Sequence, residues 1–115
     1  MTLRTDKEIA PDLREALTRF FVLLQTMQGV DVAAFERLHA LSIELMRSYK
    51  GKDLVSKSLL NELYSAPRMI RAESIHRRSD RQALEQMAEK LEMCFGLLLL
   101  DEIPEDRKPG APRIL

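Results

Sequence analysis

The chain has no tryptophan, and aromatic residues make up only 5% of its 115 positions. A core must therefore be built from Leu, Met, Ile and Ala, a supply that suits helix packed on helix better than a sheet. Its four glycines are too scattered to form a phosphate cradle. No GxxxxGK[ST], GxGxxG or GxSxG pattern occurs, which argues against a nucleotide-driven enzyme. A single cysteine, Cys94, excludes an internal disulfide, and no signal-peptide pattern opens the chain, so a reducing, cytoplasmic compartment is expected. The longest apolar stretch, residues 93–100, is far short of the roughly 20 residues that span a bilayer. Net charge is missing too: Lys+Arg and Asp+Glu both number 18, so nothing global draws the molecule to nucleic acid or an anionic membrane.

What is present is helical patterning. Leu13, Leu17, Phe20, Leu24 and Met27 recur in steps of four and three, predicting a first helix that begins at Pro11 or Asp12 and reaches residue 28, with Gly29 at its exit. Asp31 is a suitable N-cap for a second helix, with a stripe of Phe35, Leu38, Leu41 or Ser42, Leu45 and Tyr49 and with Gly51 beyond its end. A third is expected near Asp53, carrying Val55, Leu59 and Leu63, with a break or kink where Pro67 removes a backbone donor. Ser79 and Gln82 form a capping-box pattern for a fourth helix reaching about residue 100, whose inward stripe is Leu84, Met87, Leu91, Cys94 and Leu98. The short first connection favours antiparallel neighbours. The expected fold is all-α, an antiparallel bundle of about four helices over residues 1–103, followed by an extended, Pro-rich C-terminal tail over 104–115. The apolar end of the fourth helix is either enclosed by the bundle or covered by a second molecule.

Chemistry-bearing clusters are sparse. His39 and His76 are isolated, with no metal-ligand spacing, and neither a metal nor a cofactor is expected. Cys94 sits in an apolar run that raises a thiol pKa and suppresses its reactivity. Met27, Met46, Met69, Met87 and Met93 suit either an adaptable groove or ordinary core. Acids collect after residue 82 as Glu85, Glu89, Glu92, Asp101, Glu102, Glu105 and Asp106. Without a cleft-forming pattern they form a partner-binding patch or a solvated face rather than an acid-base pair. Arg68, Arg71, Arg77, Arg78 and Arg81 form an alternative basic site, able to grip phosphates but lacking the aromatic residues on which bases stack.

The tail Asp106-Arg107-Lys108-Pro109-Gly110-Ala111-Pro112-Arg113-Ile114-Leu115 resembles those of small bacterial immunity proteins of contact-dependent inhibition and related polymorphic toxin systems. The resemblance covers the tail alone. It implies a non-catalytic protein that binds one cognate toxin domain in the cytoplasm and blocks it. Nuclease inhibitors of this kind commonly carry strongly acidic surfaces, whereas this chain is neutral overall; the acids from Glu85 to Asp106 are where a local patch would lie. Two alternatives stay open: a homo-oligomeric helical adaptor, such as a homodimer, that pairs through the apolar end of the fourth helix, and a nucleic-acid-binding regulator using the arginine segment.

Overall fold

The computed structural model describes residues 3–26 and 29–106. The predicted stripe residue Met27 and the tail residues Arg107, Arg113, Ile114 and Leu115 lie outside that range. Among the described residues the fold is all-α, with no strand.

Helix α1 spans Asp6–Thr26 and starts earlier than the sequence pattern suggested. Its start is fixed by a capping box just upstream: the Glu8 backbone N–H donates to Thr5 Oγ1 at 3.3 Å while the Thr5 N–H donates to Glu8 Oε1 at 3.2 Å. Pro11 therefore lies inside the helix rather than in its first turn. The extra turn is held by burial of Ile9 and Ala10, which extend the stripe through Leu13, Ala16, Phe20 and Leu24.

Helix α2, Val32–Tyr49, begins as predicted: Asp31 accepts a hydrogen bond from the Ala34 N–H at 2.9 Å. Its stripe is the expected one, and the fully buried Ser42 satisfies itself by donating to the Leu38 carbonyl at 2.9 Å. Gly51 follows in a left-handed conformation, φ +80°.

Helix α3 spans Lys57–Ser74 and is capped by Ser56, not Asp53. It runs through Pro67 without the expected break. An interior proline costs about 3 kcal/mol, but Leu59, Leu63, Ala66, Pro67 and Ile70 are all buried on one side. A stop at residue 66 would strand Ile70, whose burial alone contributes roughly 1.5–3 kcal/mol.

A 3-10 turn over Arg78–Asp80 leads into α4, Arg81–Leu99. The predicted capping box does not form, because Ser79 lies within that tight turn and the N-cap position falls to Asp80, whose side chain makes no capping bond. Leu97 rather than Leu98 completes the buried stripe. The helix ends in a Schellman arrangement, with Glu102 N–H bonded to the Leu97 carbonyl at 2.8 Å and Asp101 N–H to Leu98 at 3.1 Å. Asp101 takes the left-handed position, φ 55°, that glycine usually fills. Its carboxylate offsets the strain by accepting the Gly51 N–H at 2.8 Å. Residues Pro104–Asp106, expected to be extended, instead make a second 3-10 turn.

The packed pairs are α3 with α4, α1 with α2, and α2 with α4. Both hairpins are antiparallel: Tyr49 at the end of α2 donates to Asp6 at the start of α1, and Tyr64 and Phe95 meet with ring centroids 5.7 Å apart. The fourth side, between α1 and α3, is the least intimate closure. Arg14 spans it, reaching Glu62 and Ser58 at 2.9 Å each.

Arg4 clamps the opening segment onto the bundle with a two-pronged grip on Glu44, at 2.7 and 2.8 Å, and a third bond to Asp12 at 2.7 Å. The guanidinium holds both carboxyls below their ordinary range. Depressed folded values mean that this stabilisation is present above the unfolded carboxylate pKa and is lost as pH falls through the folded one. Arg4→Leu is therefore expected to lower the urea midpoint at neutral pH. The gap to the parent should narrow as pH falls below the ordinary carboxylate range and these two groups take up protons. A gap that persists unchanged in acid would show that the clamp does not act through charge.

Candidate functional site

The seven candidate acids do not form one free patch. Arg71 takes two of them, donating from Nε to Glu85 at 3.1 Å and from Nη2 to Glu92 at 2.6 Å. Ser74 Oγ adds a bond to Glu85 at 3.2 Å. Across the bundle end, Glu105 pairs with Arg47 and Asp106 with Lys50, the latter at 2.9 Å. Asp101 caps Gly51, and Glu102 is not free either. Those contacts hold Glu92, Glu105 and Asp106 below their usual range: Arg71 acts on Glu92 and Arg47 on Glu105, while Asp106 is lowered first by the Ile103 N–H and then by Lys50. Only Glu89 stands apart, exposed on α4.

The arginine segment is dispersed as well. Arg68 lies over the Tyr64 ring, 5.3 Å from its centroid, and donates to its hydroxyl at 2.9 Å. Arg71 belongs to Glu85 and Glu92. Arg77 donates to the Leu24 carbonyl at the end of α1 and faces Glu73 at 3.7 Å. Arg78 and Arg81 are exposed on the turn before α4. Of the five, Arg71 and Arg77 tie helices together, Arg68 stays on its own helix, and Arg78 and Arg81 remain exposed on the turn.

His39 is half-buried with its ring stacked on Phe35, at 5.9 Å and 9°. Burial, reinforced by Lys90, lowers its pKa and favours the neutral ring. His76 is exposed at the end of α3. Cys94 is buried, and burial pushes its thiol up to about 11. Among the described residues no three His, Cys, Asp or Glu side chains converge to hold a metal ion. No helix among them is long and apolar enough to cross a membrane.

What the helices do create is a pair of apolar grooves. One, of about 410 Å³, lies between α2 and α4 over Ile43, Met46, Cys94 and Leu97, with Met93 beside it and His39, Glu89 and Lys90 at its rim. The other, of about 320 Å³, lies on the loosely closed side between α1 and α3, over Leu17, Phe21 and Ala66. Val22 and Met69 flank it at 50% and 47% exposure. Glu62 forms part of its wall: Oε1 accepts from Arg14, while Oε2 is buried without a hydrogen-bond partner among the described residues. The sequence carries no signal that Phe21 and Val22 face Met69, because α1 and α3 are not consecutive and a break was expected at Pro67, just before Met69. No family model, no curated protein and no solved structure matches this chain.

Proposed function

We propose that the chain is a non-catalytic protein-binding domain, an immunity-type inhibitor that works in the cytoplasm by seating a segment of its cognate toxin domain in the α1–α3 groove. The observation that carries this reading is the apolar floor left open where the bundle closes least tightly, flanked by half-exposed Val22 and Met69. An aliphatic or aromatic side chain from the partner fills the groove and removes that surface from water. A lysine or arginine beside it supplies the donor that Glu62 Oε2 lacks, and the buried setting strengthens the resulting contact. The acidic patch is a weaker anchor, since Glu85, Glu92, Glu105 and Asp106 already serve the bundle's own cations.

Co-expression with toxin domains encoded beside this gene provides the test. The parent chain is expected to rescue growth against one of them. The double variant Val22→Glu, Met69→Glu should bind that domain at least about a hundredfold more weakly, because it places two charges against an apolar interface. Its circular dichroism and urea midpoint should stay near the parent's, as both sites are half exposed. Undiminished binding by the double variant would remove the groove from the interface. Failure to neutralise any neighbouring toxin would remove the immunity reading altogether.

A further inference from the structure

We propose that the α2–α4 face docks against the same face of a second copy, about a two-fold axis crossing α4 between Glu89 and Lys90, with Met93 of each copy entering the groove of the other. Gln86, Glu89, Lys90, Met93 and Leu97 follow helical steps of three and four along one side of α4 and line the α2–α4 groove. A two-fold axis perpendicular to the helix sets the copies antiparallel there. Residue 89 then faces residue 90 of the mate, and residue 93 faces 86.

That register matches opposites with opposites. Glu89 and Lys90 are both exposed, and neither is ion-paired among the described residues. The axis turns this adjacent acid and base into two reciprocal Glu–Lys contacts, a complementarity that only a second copy guarantees. Most other acids on α4 and beyond it are occupied within the chain: Glu85 and Glu92 by Arg71, Glu105 by Arg47. The apolar part fits too. Met93 is 64% exposed, a projecting and pliable side chain next to a groove of about 410 Å³ floored by Ile43 and Met46. In the paired arrangement it passes over Gln86 of the mate into the His39 end of that groove. This interface is separate from the α1–α3 groove, so it stands or falls independently of toxin binding.

Sedimentation equilibrium of the full chain tests the proposal. The parent is expected to be a concentration-dependent dimer. Glu89→Lys and Lys90→Glu should each weaken it on the order of tenfold, since one substitution creates two like-charge contacts across the axis. The combined Glu89→Lys, Lys90→Glu variant restores both pairs in reverse and should dimerise within about threefold of the parent. Met93→Glu should give a monomer, while Val22→Glu, Met69→Glu should leave the dimer intact. Circular dichroism of each variant checks that it remains folded. A parent that stays monomeric at every concentration overturns the inference. So do single reversals that dimerise like the parent, or a double reversal no better than the singles.

Discussion

Phe20→Ala is expected to lower the stability of the domain by about 3–5 kcal/mol. Phe20 is 1% exposed and meets two other rings edge-on, Phe21 at 5.4 Å and Phe35 at 5.7 Å. Those rings belong to α1 and α2, so the residue is where the first hairpin is packed together. A domain of this length has roughly 5–15 kcal/mol in total, so the variant should lose about a fifth of it or more. Urea unfolding measures the effect. Phe21→Ala, at the edge of the α1–α3 groove, should cost distinctly less because that side chain is only partly buried. Equal losses from the two substitutions would contradict this placement of the core.

Alkaline pH is expected to destabilise the protein through Cys94. Its ordinary value of 9.0 is pushed up to about 11 by burial among the apolar residues of α4 and α2. Because the folded value lies above the unfolded one, the native state holds its proton longer. The stabilisation is complete below pH 9.0, erodes between 9.0 and about 11, and is absent beyond. The loss amounts to roughly 2–3 kcal/mol. Tyr49, also raised first by burial, works in the same direction. A Cys94→Ala comparison isolates the thiol: the variant's urea midpoint should fall less steeply with pH over that interval. In parallel, iodoacetamide should label Cys94 slowly in the native protein near neutral pH and quickly in denaturant. Rapid native labelling would place the thiol at the surface and remove the cause of the shift.

Helix α2 was fully legible because cap, stripe and terminal glycine agree along one stretch of chain. Where two local signals competed, periodicity alone did not decide. At the start of α1, the Thr5–Glu8 box lay upstream of a proline that also suits a first turn. At the start of α4, the Ser79–Gln82 pattern yielded to a 3-10 turn. Pro67 shows the limit most clearly, since what keeps α3 intact is burial of Ile70 against other helices, a term absent from local propensity. The candidate acids were legible as a composition but not as a surface. Arg71 reaches Glu85 and Glu92 across 14 and 21 positions, and only the pairing of α3 with α4 makes them neighbours. Both grooves form between helices that do not follow one another, which is why their halves were visible and their union was not.

The link over residues 50–56 gives the molecule a further property. It joins α2 to α3, which are not among the closely packed pairs, so the domain is two hairpins laid side by side, each complete within its own half of the chain. The folding search then reduces to two local closures and one docking event, a low-contact-order route that favours speed over a slow assembly of distant segments. The same link carries Leu54 at 88% exposure, outside the stripes that hold either hairpin. Leu54, lying between the Gly51–Asp101 bond and the Ser56 cap, marks a point at which an inserted segment leaves the packing of both hairpins in place.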